Sequence, residues 1–378
     1  MTVSASFLNI SAMSFGALSE AAIVALSTGA ARRGFAHNTG EGGVSPHHLK
    51  GGADLIWQIG TGYFECRTPA GGFDAEMFVA QAAEPSVKMI EIKLSQGAKP
   101  AHGGILPASK LTPEIAAIRR VEHGRDVISP PSHPAFDSPV TLLGCVAELR
   151  VLSGGKPVGL KLCVGDETEV LHLVAAMSDT GIVPDFIAAD GAEGGTGAAP
   201  PELSDSVGQP LREALDFVHR TLVSAGVRNE TRVIAAGKIA TGFDMARCLA
   251  LGADLCYSAR AMMLALGCIQ ARRCHTNECP VGVATQDKSR SKALVVADKA
   301  ERVELFHRET RRNFLELVAA AGCEHPADLA LDHIHRRINQ TTVASYLQIY
   351  GAMPDPRDIR SLGDLPPQTN ERPKEFVA

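Results

Sequence analysis

The feature that most constrains the fold of this chain is the alternation of short apolar runs with segments of helical periodicity. The runs are too short for buried helices and are typical of buried strands. This alternation predicts β–α units and a parallel sheet. In the first unit, a strand in FLNISAMSFG precedes a helix in LSEAAIVALSTGAARRG, which we expect to be capped by Ser19 and to end at Gly34.

Seven further strands are predicted along the chain, in GFAHN, DLIWQIG, VKMIEIKL, PVGLKLCV, PDFIAAD, TRVIAAG and DLCYSA. Eight strands with helices between most of them predict a (β/α)8 TIM barrel. A doubly wound open sheet is the alternative, but glycine-rich or polar loops follow nearly every strand, which favours the barrel. We expect the barrel to span residues 1–290, a C-terminal helical extension residues 291–352, and a poorly ordered tail residues 353–378.

Composition narrows the class of protein. The net charge is −5 without any basic run, so nucleic acid is not an expected partner. No apolar run approaches the roughly 18 residues of a membrane span. The nine cysteines are an odd number, and Cys145, Cys163 and Cys248 lie in apolar segments. This usage favours a reducing cytoplasm over an oxidised secreted scaffold.

Glycine-rich or small-residue segments, DGAEGGTGAA, AGKIATG and SARA, follow the last three predicted strands. Because glycine lets backbone N–H groups approach an anion, they predict a phosphate site with Lys238 and Arg260 as counter-charges. Tight turns alone are the alternative. Lys161 lies within an apolar strand, where an inward-facing charge would meet a ligand on the barrel axis, such as a flavin ring. A lysine that extends to solvent from a strand end is the alternative.

Polar side chains also follow two earlier strands. Glu41 lies in NTGEGG, and Lys93, Gln96 and Lys99 lie in EIKLSQGAKP. Cations, an amide and a carboxylate at one barrel mouth predict a small anionic substrate. An ordinary solvated loop is the alternative.

Three cysteines form a C-x5-C-x4-C-P run at Cys268, Cys274 and Cys279. Short loops of thiolates hold iron–sulfur clusters, and three ligands favour a [3Fe–4S] centre. Zinc with His275 as fourth ligand is one alternative, although adjacent ligands are unusual for zinc. Plain core cysteines are the other.

These motifs together resemble the FMN-binding synthase domain of the glutamate synthases, over roughly residues 8–290. The resemblance rests on SAMSFGALS, NTGEGG, QGAKP, ISPPSH, DGAEGGTGA and GCIQARRCHTNECPVGVATQ. It implies a barrel that holds FMN and a [3Fe–4S] cluster and receives electrons from a ferredoxin or a reductase subunit. Reduced FMN would then deliver a hydride to the 2-imino acid formed from 2-oxoglutarate and ammonia.

The resemblance also implies roles for individual residues. It implies FMN contacts from Ser14, Gln96, Lys161, Gly194, Gly195, Gly237 and Ser258, substrate contacts from Glu41, Lys93, Lys99 and Arg119, and cluster ligation by Cys268, Cys274 and Cys279.

The chain departs from the family pattern in three respects. It begins at the barrel with Met1, so we expect a short stand-alone member, for which a separate amidotransferase chain is a candidate partner. A nicotinamide-binding segment is not expected either. Ile105 in GGILP replaces a substrate-binding glutamine, which favours another 2-oxo or 2-imino acid or an N-substituted glutamate. An electron-transfer subunit without its own substrate, and a 2-hydroxyacid-oxidising FMN barrel without a cluster, are the alternative functions.

Overall fold

The computed structural model describes residues 3–100, 103–195, 199–200 and 202–351. Its strands are β1 Leu8–Ile10, β2 His37–Asn38, β3 Leu55–Ile59, β4 Val87–Lys93, β5 Ile105–Leu106, β6 Val127–Ile128, β7 Val158–Leu162, β8 Phe186–Asp190, β9 Arg232–Ala236, β10 Leu255–Ser258, β11 His335–Arg337 and β12 Val343–Ser345. Eight of them close a parallel barrel in the order β1-β10-β9-β8-β7-β4-β3-β2. The predicted (β/α)8 fold is confirmed.

Helices surround the barrel. They are α1 Glu20–Arg33, α2 Pro46–Gly51, α3 Ala75–Ala82, α4 Pro113–Arg119, α5 Pro139–Leu152, α6 Glu167–Thr180, α7 Leu211–Ser224, α8 Gly242–Ala250, α9 Arg260–Ala265, α10 Lys288–Ser291, α11 Val296–Ala320 and α12 Tyr346–Tyr350. The long helix α11 packs against both α1 and α8, and so covers the barrel between them. The tail predicted at 353–378 and residue 352 lie outside the described residues.

Local sequence signals set the ends of α1 as expected. The Ser19 side chain caps the helix by accepting a hydrogen bond from the Ala22 N–H at 3.3 Å. Gly34 ends it in the left-handed conformation, with φ 64°. Because this conformation is strained for residues with a Cβ, glycine is the favoured residue at that position.

The barrel interior is apolar at one end and polar at the other. Ile56, Met89, Phe186 and Ile234 fill the apolar end. The buried Glu91 carboxylate lies further along β4, where its Oε1 accepts hydrogen bonds from the side chains of Asn38 at 2.8 Å and Gln58 at 2.6 Å. Polar groups therefore concentrate towards the carboxyl ends of the strands, where TIM barrels carry their active sites.

Two antiparallel pairs of strands add to the barrel. β5 pairs with β6 so that Ile105 lies opposite Ile128, and β11 pairs with β12. The first barrel strand is shorter than the predicted run, because Ser11 to Gly16 form a loop at the mouth. None of the helices in the described ranges combines the length and apolar character that crossing a membrane requires.

Candidate active site

Glu41 and Lys93 form an ion pair at the carboxyl end of the barrel. Glu41 lies in the loop after β2, and Lys93 is the last residue of β4. Lys93 Nζ donates to Glu41 Oε1 at 3.0 Å. Gly104 lies against this carboxylate so closely that a Cβ there would overlap Glu41 Oε1, which explains the glycine. Burial would raise the pKa of Glu41, but the surrounding cations, Lys93 first, outweigh it and hold the pKa below its ordinary value.

Two further buried cations face the same carboxylate. Lys99 Nζ donates to the Gly103 carbonyl at 3.3 Å, and burial together with the nearby Lys93 lowers the pKa of Lys99. The Arg119 guanidinium, at the end of α4, lies 4.9 Å from the centre of the Phe64 ring. Burial lowers the pKa of Arg119 to about 10, so it stays charged at neutral pH. The structure therefore brings together all four residues predicted to face the substrate.

A pocket open to solvent lies over this cluster. Its walls include Glu41, Thr61, Lys93, Gln96 and Gly104. Arg119 Nε is buried and, within the described part of the chain, has no hydrogen-bond partner. Three cations against one carboxylate leave an excess of positive charge, which suits a small anion with more than one carboxylate.

Lys161 is buried beside a carboxylate that was not predicted. Its Nζ lies 3.3 Å from Asp190 Oδ2, and the two side chains are only 5% and 8% exposed. Burial opposes the charge, but Asp190 and then Glu91 outweigh it and raise the pKa of Lys161. Lys161 therefore carries its charge at neutral pH inside the barrel, and its contact with a ligand on the barrel axis stays a prediction.

Asp190 connects the residues predicted to line FMN. Its Oδ2 also accepts a hydrogen bond from the Gly97 N–H at 3.0 Å, next to Gln96. A Cβ on Gly194 would lie 3.0 Å from Asp190 Oδ1 and 3.1 Å from the Gly237 Cα, so these backbones approach closely. Lys161, Gln96, Gly194 and Gly237 thus converge.

Two more of the predicted FMN residues join this group. Gly195 has φ 150°, and a Cβ on it would overlap the Ala98 Cβ. Ser258 Oγ donates to the Ile239 carbonyl at 2.8 Å, in the loop that Gly237 begins. Ser14 lies against Gly42 in the Glu41 loop, where a Cβ on Gly42 would approach the Ser14 Cβ to 2.7 Å.

The two predicted phosphate counter-charges have protein partners. Lys238 Nζ lies 3.3 Å from Asp205 Oδ1, with both side chains about half exposed. Arg260 Nη2 donates to the Gly195 carbonyl at 3.1 Å, which ties α9 to the glycine-rich loop after β8. Ile105 in β5 is half exposed and lies opposite Ile128 in β6.

The three cysteines of the C-x5-C-x4-C-P run line one pocket. Cys279 is buried, Cys268 and Cys274 are half-buried, and Val281 and Val283 form part of the walls. No disulfide bond joins any of the nine cysteines, all of which lie in the described ranges.

The zinc alternative requires His275 as a fourth ligand beside the three cysteines. Among the described residues, no three or more His, Cys, Asp or Glu side chains are grouped as the ligands of one metal ion. His275 is exposed, outside the pocket walls. Ligation of a [3Fe–4S] cluster by the three cysteines stays a prediction.

Three polar residues of this region were not predicted from the sequence: Asp190, His133 and Lys110. His133 Nε2 lies 2.9 Å from the Lys93 carbonyl, so this nitrogen donates. Its Nδ1 lies 3.1 Å from the Tyr63 hydroxyl, which fixes the ring. Lys110 lies beneath the cysteine pocket, where burial lowers its pKa to about 8 against the attraction of Cys274 and Cys279. A charged residue in or beside an apolar run was the available signal for Asp190.

Comparisons with known proteins support the motif analysis. Residues 2–324 match the family described as a conserved region in glutamate synthase. The glutamate synthase large subunit-like protein YerD of Bacillus subtilis is 44% identical over 325 residues, covering 86% of this chain and 62% of that protein. An archaeal glutamate synthase [NADPH] of Archaeoglobus fulgidus is 35% identical, covering 82% of this chain and 58% of its own length. The chain thus spans about 60% of the length of these relatives.

Larger and more distant proteins also match. The glutamate synthase [NADPH] large chain of Azospirillum brasilense is 31% identical, covering 97% of this chain and 25% of its own length. Among solved structures, a mandelate oxidase with (S)-4-hydroxymandelic acid superposes with a TM-score of 0.51 at 16% identity, covering 84% of this chain and 77% of that one. At that identity the likeness shows the fold alone.

Proposed function

Because the chain belongs to the glutamate synthase family, we propose that it is an FMN- and iron–sulfur-dependent oxidoreductase that reductively aminates a 2-oxo acid, 2-oxoglutarate or a relative. The membership confirms the family predicted from the motifs. The observation that carries the proposed substrate class is the group of cations around Glu41, namely Lys93, Lys99 and Arg119, beneath a pocket that Glu41 and Lys93 line. An excess of buried positive charge favours a dicarboxylate over a neutral or basic substrate.

The residues fit a flavin with a phosphate tail. Lys161 offers a buried cation on the barrel axis, and a cation there stabilises the negative charge that a reduced flavin gathers. Gly195 and Gly237, with φ 150° and 146°, allow the close backbone approach that a phosphate needs. The cysteine pocket, with its three thiols, fits an iron–sulfur cluster. When bound, FMN would supply hydride transfer and the cluster one-electron transfer.

The side chains of the chain itself would position the substrate. Lys99 and Arg119 would bind its carboxylates, because both are buried and charge-assisted hydrogen bonds strengthen where water is excluded. Glu41, ionised and bonded to Lys93 through Oε1, would hold a cationic nitrogen of the imine or amine. His133 would keep Lys93 in place through its backbone carbonyl.

The partners proposed for this reaction follow the family. Ammonia, supplied free or by a separate amidotransferase chain, would be the nitrogen source. A ferredoxin or a reductase subunit would donate electrons. A reducing cytoplasm, in which thiols stay available to iron, is the proposed compartment.

A single-turnover experiment tests the reaction. The protein is reduced under anaerobic conditions and mixed with 2-oxoglutarate, ammonium, or both, while the flavin absorbance is followed. We expect reoxidation with both substrates and none with either alone. If the flavin stays reduced with both, and with other 2-oxo acids, an electron relay without its own substrate replaces the proposal.

Matched variants of two lysines on β4 locate the substrate site. Lys93→Met should raise the substrate concentration for half-maximal reoxidation about tenfold to a hundredfold, because about 1.5–3 kcal/mol of charge-assisted binding is lost. Lys88→Met removes a lysine that pairs with Asp54 at 3.7 Å on the outside of the barrel, and should leave that concentration unchanged. Equal effects of both variants would contradict the placement.

Substrate identity is tested at Ile105. Its half-exposed side chain in β5 lies outside the pocket walls. If this residue excludes 2-oxoglutarate, Ile105→Gln should increase the reoxidation rate with 2-oxoglutarate more than with other 2-oxo acids. An equal change for all acids would show that selectivity resides elsewhere.

A further inference from the structure

Lys110 is a buried lysine with a complete set of backbone acceptors. Its side chain is among the largest that are fully buried, and the residue is 2% exposed. Its Nζ donates to three carbonyl oxygens: Ala17 at 2.6 Å, Cys274 at 2.9 Å and Ala284 at 3.3 Å. A carbonyl oxygen can only accept, and a neutral amine has two protons to donate. Three such bonds therefore require the ammonium form.

The three carbonyls come from two parts of the chain that are far apart in sequence. Ala17 lies in the loop between β1 and α1, Cys274 lies within the cysteine run, and Ala284 follows that run. Lys110 itself ends a 3-10 turn, Ala108–Lys110, directly after β5. That strand begins beside Gly104, which lies against Glu41 at the substrate pocket. One ammonium thus joins the cysteine run to the segment that borders the substrate pocket.

A second set of hydrogen bonds holds the same segments together. Asn277 Nδ2, within the cysteine run, donates to the Ser109 carbonyl at 3.0 Å. Gln286 Nε2 donates to the carbonyls of Gly16 at 3.0 Å and Leu18 at 2.8 Å. The cysteine run is therefore bonded to the 3-10 turn, and the segment that follows the run is bonded to the loop after β1, independently of Lys110.

We propose that Lys110 is a positioning residue for the iron–sulfur site, which fixes the backbone at Cys274 and raises the reduction potential of the cluster by its buried charge. The inference rests on the proposed function only in so far as a cluster occupies the cysteine pocket. The positioning role concerns the protein backbone and can be measured without the cluster.

The electrostatic role follows from charge. A cluster held by thiolates becomes more negative by one unit when it is reduced, and net charge and surroundings set its potential. A nearby cation therefore stabilises the reduced form more than the oxidised form. Because Lys110 is buried, solvent and salt screen its charge little. Exposed cations, such as Lys292 in the segment after the run, act through water and contribute less.

The first test is a redox titration of the holoprotein, followed by the electron paramagnetic resonance of the cluster. In Lys110→Met we expect the ratio of reduced to oxidised cluster at a fixed ambient potential to fall about tenfold, a shift of about 59 mV for a one-electron couple. Lys292→Met removes an equal charge from the surface, and Lys110→Arg keeps the charge in place. In both variants the ratio of reduced to oxidised cluster should stay within about twofold of the wild-type ratio. A ratio in Lys110→Met equal to the wild type, at full iron content, overturns the electrostatic role.

The second test uses cluster-free protein, so that it stands apart from the proposed function. Amide hydrogen exchange in residues 274–286 should be at least about tenfold faster in Lys110→Met than in the wild type or Lys292→Met, because the bonds that hold this segment are lost. Unchanged exchange overturns the positioning role. If the wild type binds no iron, the proposal of an iron–sulfur cluster is wrong, but the exchange test still shows whether Lys110 positions the backbone. Where Lys110→Met does not fold, Lys110→Gln takes its place in the redox titration, since an amide carries no charge; in the exchange test, it should still speed exchange in residues 274–286, because an amide can donate only two of the three bonds.

Discussion

Lys161 and Asp190 allow the effect of burial on an ion pair to be measured within this one protein. Their charged atoms are 3.3 Å apart, and their side chains are 5% and 8% exposed. Lys238 and Asp205 have the same 3.3 Å separation, but their side chains are 47% and 60% exposed. Because the two distances are equal, a difference in the free energy of unfolding lost on replacing each lysine reports the effect of burial.

We predict that Lys161→Met destabilises the cofactor-free protein by about 3–5 kcal/mol, the usual cost of leaving a buried charge without its partner. Lys238→Met should cost less than about 1 kcal/mol. In the double variant Lys161→Met with Asp190→Asn, most of the loss should be recovered. The asparagine carries no charge, and its oxygen can still accept the Gly97 N–H.

Urea unfolding followed by circular dichroism measures these differences, with slopes compared to check that the unfolding reaction is unchanged. The raised pKa of Lys161 predicts the pH dependence as well. Its contribution is complete below the unfolded-state pKa and is lost as pH rises through the higher folded-state pKa. Equal costs for Lys161→Met and Lys238→Met, or no recovery in the double variant, would refute the reasoning.

Three other variants test the site. Glu41→Gln should abolish amination. In the wild type, the lowered pKa of Glu41 stabilises the folded state, and this contribution should be lost as pH falls through the folded-state pKa. The acid unfolding curves of the wild type and Glu41→Gln should therefore converge at that pH. Gly195→Ala should cost about 1–3 kcal/mol in thermal unfolding, because its Cβ overlaps Ala98 and its φ is strained; Gly124→Ala, with φ 92° in open space, should cost less. Cys274→Ser should abolish the bound iron while some FMN stays, and full iron content would disprove the ligand assignment.

The barrel could be predicted from the sequence because each of its strands is signalled locally. A parallel strand buried on both faces is a short, mainly apolar run, as in PVGLKLCV and TRVIAAG. The pair of strands β5 and β6 gave no such signal, since each strand has two residues and one of the two is exposed.

The site was predictable only in part, because its contacts join distant parts of the chain. Residues in glycine-rich or charged motifs, such as Glu41 and Lys93, carried a local signal. Asp190 carried only the signal of a charge at the end of an apolar run, and Lys110 carried none. Asp190 bonds a residue 93 positions away, and Lys110 bonds one 174 positions away. A buried charge must find a partner, but the sequence does not indicate which partner the fold supplies.

The absorption spectrum of the protein purified under anaerobic conditions, with flavin, iron and sulfide determined on the same sample, tests the central claim most directly. We predict flavin bands with a broad iron–sulfur shoulder, and FMN, iron and inorganic sulfide bound together. A colourless protein, or one that contains zinc in place of iron, would contradict the account.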